Sequence, residues 1–220
     1  MEVKAYFSNI RFHLSNELKA ASGSIYVAVA WFTDAKLFDI LCQKAKDGLD
    51  VQLMVMDDDI TQNCMINYKV LEASGGRLYM IDPGFTGVVM HHKFCVIDGN
   101  TTITGSYNWS YKAQSNHENI TITKDDVQLA EMFLIEFKNI KEQYHGKEPL
   151  KQFDSEILSR RLLIIENLIQ LGEHENIPAQ VAKIREYEMP PEIISIINLL
   201  EDSEFEKASE LIRDFARKLK

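Results

Sequence analysis

The sequence has no apolar stretch long enough to cross a bilayer. Its longest, residues 25–32 and 162–165, fall far short of the roughly 18 residues that a spanning helix needs. Paired cysteines are also lacking: Cys42, Cys64 and Cys95 each sit in or beside an apolar segment, where reduced, packed thiols are the expectation. Residues 1–5 carry neither the basic patch nor the apolar run of a secretory signal, so a cytoplasmic protein without a transmembrane segment is expected. No repeat or low-complexity tract occurs, and 45% hydrophobic with 26% charged residues is ordinary for a globular chain. Positive charge is scarce, with 24 Lys and Arg against 33 Asp and Glu and a formal net charge of -9. Nucleic-acid binding draws on counterion release by basic side chains. Residues 1–147 hold 14 basic against 18 acidic groups and residues 148–220 hold 10 against 15, so any basic groove must be local.

What is present is an alternation of helical and strand-like segments. Phe7, Ile10, Leu14 and Leu18 recur at helical spacing and predict an amphipathic helix over 4–21. Residues 25–31 and 51–56 are short, continuous and rich in branched and aromatic side chains, as strands buried on both faces are. Between them Asp34 caps a helix running to Gly48. A helix near 61–73, a strand at 77–81 and a flexible loop at 83–87 follow, then a strand at 91–98 turned by Gly99-Asn100 into another at 101–104. A strand at 119–123 and a helix at 127–144, with Leu129, Met132, Phe133, Ile135, Phe137 and Ile140 on its apolar side, complete the pattern. The expectation is an α/β fold with a mixed sheet over 1–147. Beyond a break at 145–149 everything reads as helical, so 148–220 is expected to be an all-helical extension or interaction domain.

The chemistry concentrates in one run that occurs once. His91, Lys93, Asp98, Gly105, Ser106 and Asn108 fit His-x-Lys, four residues, Asp, six residues, Gly-Ser-x-Asn. Side chains alternate along a strand, so His91 and Lys93 share a face and can meet one phosphate, while His92 and Phe94 point the other way. The same alternation splits His91, His92 and Cys95 and argues against a zinc cluster. Asp57, Asp58 and Asp59 suit either magnesium or a helix cap, with capping the expectation. His13, His117, His145 and His174 lack companions, and only His117, beside Glu118, sits near the motif.

This six-position pattern resembles the signature of the phospholipase D superfamily, with the likeness covering about residues 1–145. The resemblance implies a metal-independent, cofactor-free phosphodiesterase in which two motifs meet across a homodimer axis. One His91 would attack phosphorus to give a phosphohistidine, and the other would protonate the leaving oxygen. Lys93, Ser106 and Asn108 would stabilise the transition state, and Glu118 would orient the histidine. Asp98 and Gly105 would be structural. Tyr107, Trp109 and Lys112 flank the motif and would stack on bases or hold a backbone, or else pack against the sheet. Short single-motif members are similar to nucleases, making a DNA or RNA endonuclease the first expectation. The alternatives are a lipid phosphodiesterase acting on cardiolipin or another phospholipid, and a non-catalytic assembly module. A protein partner for the C-terminal helices is a further expectation.

Overall fold

The computed structural model describes residues 1–146 and 152–218. In chain order they form β1 (Glu2–Tyr6), α1 (Ile10–Ala20), β2 (Ser24–Val29), α2 (Ala35–Lys46), β3 (Asp50–Met56), α3 (Asp59–Gln62), α4 (Lys69–Ala73) and β4 (Arg77–Ile81). Next come α5 (Pro83–Thr86), β5 (Lys93–Ile97), β6 (Thr101–Gly105), β7 (Ile120–Lys124) and α6 (Val127–His145). The last elements are α7 (Ser155–Leu171), α8 (Ile177–Ile184), α9 (Pro191–Glu201) and α10 (Phe205–Lys218). The expected division at 147/148 lies outside the described residues; the chain on either side of it forms two compact units. No described helix is long and apolar enough to cross a membrane.

The first unit is built on one mixed seven-stranded sheet in the order β1-β7-β6-β5-β2-β3-β4. β2, β3 and β4 run parallel, as helical crossovers between them require, and β5, β6, β7 and β1 pair antiparallel. Side-chain alternation sorts the apolar strands onto two covered faces. Val27, Leu53, Cys95 and Ile103 lie under α1 and α2, which bury Leu14, Leu18, Leu37 and Leu41. Ala28, Met54, Phe94 and Val96 lie under α6, which buries Ala130 and Phe137. Burial on both faces is why these strands read as unbroken hydrophobic runs.

Several expectations need correction. Residues 2–6 are not helical: β1 is an edge strand paired to β7, Phe7 is exposed, and α1 starts only at Ile10. The single helix expected over 61–73 is two short ones, α3 and α4. Residues 83–86 form one helical turn rather than a loop, with Asp82 accepting the Gly84 N–H at 2.7 Å. The hairpin turns at Asp98-Gly99, both with positive φ (52° and 66°), one residue earlier than expected. On α6, Met132 and Ile135 face outward rather than into the apolar side.

The second unit is helical, as expected. Asp154 caps α7 by accepting from the N–H groups of Glu156 and Ile157, and Gly172 ends it in the left-handed conformation. Leu158, Leu162 and Ile165 of α7 pack with Ile193 and Ile197 of α9 and Ile212 of α10 in a core of their own.

Candidate active site

β2, β3 and β4 finish at the sheet end where β5 begins, and the antiparallel pairings bring the end of β6 and the start of β7 to the same place. Loops beyond the carboxyl ends of parallel strands are the usual place for ligands in open α/β sheets. There the motif residues other than Asp98 gather. β5 itself starts at Lys93, two residues later than expected, but the His92 carbonyl still accepts the Ala30 N–H at 3.0 Å, so the run continues along the end of β2.

Lys93 Nζ donates to the His91 carbonyl at 2.8 Å, and the His91 ring stands edge-on to Trp31 with centroids 5.6 Å apart. His91 is exposed, but the solvent its ring does lose, then the charges of Lys93 and His92, hold the imidazole below its ordinary value. A neutral imidazole at neutral pH is the form a nucleophile needs. Burial also lowers Lys93, opposed by the attraction of Glu118. His92 turns to the other face, where Nε2 lies 3.2 Å from Glu136 Oε1.

Ser106 and Glu118 meet, but not as expected. The Ser106 hydroxyl donates to Glu118 Oε2 in a short hydrogen bond and accepts from the Asn119 N–H at 3.1 Å, while Asn116 Nδ2 reaches Glu118 Oε1 at 3.3 Å. Glu118 thus holds the serine and Asn116 rather than orienting His91, because the β6–β7 pairing sets its carboxylate beside Ser106. In this arrangement the Ser106 hydroxyl bridges Glu118 and the Asn119 backbone. Asn108 differs: its Oδ1 is buried with no hydrogen-bond partner, a costly state for an amide. Turning the amide would put the donor Nδ2 where that oxygen lies.

Gly105 is required where it stands. A Cβ there would lie 2.2 Å from the Asn119 carbonyl oxygen and 2.8 Å from Ile120 Cα. Asp98 sits at the opposite end of β5 from Lys93. Its carboxylate accepts from the N–H groups of Ser22, Gly23 and Ser24 and from the Ser22 hydroxyl, at 2.7–3.0 Å. Burial pushes its carboxyl up, but the backbone bonds from Ser24, Ser22 and Gly23 outweigh this and hold it below the usual range.

Tyr107 and Trp109 are 1% and 2% exposed, so neither offers a ring to a substrate, and base stacking by them is corrected to packing. Trp109 packs on Phe32, and its carbonyl accepts the N–H groups of both Thr33 and Asp34, pinning the loop to the start of α2. Lys112 is exposed at the start of the 3-10 turn Lys112–Ser115. Asp58 caps α3 and also accepts the Trp31 indole N–H, and Gln62 Nε2 donates to Asp57 at 2.8 Å, so both carboxylates are engaged by side chains and backbone of the chain itself. Cys95 is fully buried, with burial pushing its thiol up, and cannot join His91 at a metal.

The sequence reading passed over Trp31, which touches both His91 and Lys93. Its signal was available: it is the last residue of a predicted buried strand, at the end where site loops begin.

Residues 14–141 match the family described as cardiolipin synthase, PLD-like domain. Human mitochondrial cardiolipin hydrolase is 48% identical over 65 residues, 29% of this chain and 24% of that protein. The match thus spans about a quarter of the length of such relatives. Phospholipase D of Rickettsia felis is 26% identical over 130 residues, 58% of this chain and 62% of that one. Among solved structures, the phospholipase D family member Nuc from Salmonella typhimurium superposes with a TM-score of 0.57 at 23% identity, covering 64% of this chain and 95% of Nuc. NucT from Helicobacter pylori gives 0.52 at 17%, covering 64% and 96%. At those identities the superpositions speak for the fold, and the family match, which covers more than half of the chain, speaks for descent: the chain belongs to the phospholipase D superfamily.

Proposed function

We propose that the chain is a metal-independent phosphodiesterase, in the first place an endonuclease, whose active site is completed by a second copy. The observation that carries this is the packing of His91 against Lys93 at the sheet end that also holds Ser106, Asn108 and Glu118. Hydrolysis through a covalent intermediate needs a nucleophile and a separate proton donor. His91 supplies one imidazole, His92 faces α6, and a second copy's His91 supplies the other.

The neutral His91 nitrogen attacks phosphorus, forming a P–N bond as the P–O bond to the leaving group breaks. That oxygen takes the proton of the second imidazolium. The second histidine, now neutral, takes a proton from water, whose oxygen displaces the His91 nitrogen and frees the phosphate product. Lys93 and the Asn108 amide meet the charge growing on the phosphoryl oxygens, Glu118 and Ser106 hold that wall in place, and exposed Lys112 is the candidate contact to a substrate backbone. Residues 1–147 carry this chemistry, and the helices of 148–220 serve as a docking extension for a protein partner.

Cardiolipin or another phospholipid is the second reading, favoured by the 48% identity over 65 residues to human mitochondrial cardiolipin hydrolase. That relative is mitochondrial by name.

Purified protein is expected to cut single-stranded oligonucleotides in excess chelator, and His91→Ala to abolish cutting. Vesicles containing cardiolipin, treated in parallel, decide the second reading: hydrolysis there alone makes the protein a lipid hydrolase. His117, exposed on the loop before β7, is the in-chain rival for the second imidazole. Loss of cutting in His117→Ala would remove the need for a second copy.

A further inference from the structure

His91 precedes β5, so the strand ladder does not by itself fix its side chain. Something else must hold the ring, and Trp31 is in place to do so. The indole Nε1 donates to Asp58 Oδ2 at 2.7 Å, while Asp58 Oδ1 accepts the Thr61 N–H at 3.0 Å and caps α3. One carboxylate therefore ties the indole to the end of β3 and the start of α3. The anchored ring meets the His91 imidazole edge-on, at 78° and 5.6 Å, and Lys93 Nζ lies 5.8 Å from its centroid. The second distance is within the range in which an ammonium is drawn to an indole face.

We infer that Trp31, anchored by Asp58, is a positioning residue of the phosphate site: its ring sets the orientation of the His91 imidazole and holds Lys93 beside it. Nothing in the motif pattern assigns this role, because Trp31 lies 60 positions before His91. The inference rests on the proposed phosphodiesterase activity for its kinetic consequence, but not for its effect on the imidazole itself.

That effect has a sign. Lys93 and His92 are the charged or titratable groups that act on His91, Glu118 faces Lys93, and in the paired site a second copy's His91 is added. Loss of solvent comes first among the causes that lower His91. Removing the indole readmits water, so the His91 midpoint should rise toward the ordinary histidine value of about 6.5. Protonation then competes with the nucleophilic form at a higher pH, and the acid limb of kcat/KM should move up with it.

Three variants of the full chain separate the ring from its anchor. Trp31→Ala removes both, Trp31→Phe keeps a ring without the N–H, and Asp58→Asn keeps an oxygen for the cap while its amide nitrogen cannot accept from the indole. Each is read by NMR titration of His91 and by hydrolysis of bis(p-nitrophenyl) phosphate. Trp31→Ala is expected to raise the His91 midpoint and lower kcat by about tenfold or more, with KM changed less than about threefold. Asp58→Asn and Trp31→Phe should fall between it and the parent. If Trp31→Ala does not fold, these two carry the test. Titration and kcat within about twofold of the parent in the folded variants would overturn the inference. A parent protein that hydrolyses no phosphodiester overturns the activity instead, and the titration alone then decides the positioning role.

Discussion

Asp98 is five positions from Lys93, just past the end of β5 and about 16 Å away at roughly 3.3 Å per residue, so the motif aspartate expected to be structural stands far from His91 as an anchor. Alternation already turned it from the His91 face, but its four donors come from residues 22–24, far away in the chain, and could not be read from spacing. Because its carboxyl is held below the usual range, the bonds stabilise the fold above the unfolded value near pH 4 and are lost as pH falls through the folded one. Asp98→Asn should therefore cost about 1–3 kcal/mol at pH 7. The gap between its melting temperature and the parent's should close in acid. The aromatics teach a related lesson. Residue type alone made Tyr107 and Trp109 candidates for stacking, whereas only the packing of the loop on Phe32 and α2 shows them to be core. Trp31, with the same chemistry, stays beside His91 and Lys93.

At the scale of elements, strands covered on both faces were legible because burial writes an unbroken apolar run into β2 and β3. β1 was not, because its residues are exposed and its ladder partner lies far along the chain, Glu2 opposite Lys124. Its strand state is imposed by β7, not by propensity. Exposure likewise undid the apolar side assigned to α6, where Met132 and Ile135 keep the helical period but face away from the core. The β6–β7 pair gives the sharpest test of how elements build the site. Gly105→Ala forces a methyl into the backbone of residues 119 and 120. A cost of about 1–3 kcal/mol is expected from such overpacking. Since the same backbone carries Glu118 and holds Ser106, phosphodiesterase activity should fall even at temperatures where the variant stays folded. Unchanged activity with lowered stability would separate the Glu118–Ser106 pair from catalysis.

At the scale of the molecule, the proposed sharing of one site by two copies would make activity a property of pairs. When parent and His91→Ala chains are mixed in equal amounts and allowed to exchange, about one quarter of the dimers should carry two intact histidines. Cleavage should then fall to about one quarter of that from the same total of parent protein; about one half would mean that each chain works alone. Both copies of the site would rest on β5, which stands fourth of seven in the sheet with three strands on either side. One end of that strand holds the groups proposed to meet phosphate, and the other is fastened to the turn before β2. The four residues between Lys93 and Asp98 are thus a gauge: inserting or deleting one would reverse the alternation at one end or unfasten the other. The interval between Lys93 and Asp98 measures a length of protein rather than a step of chemistry.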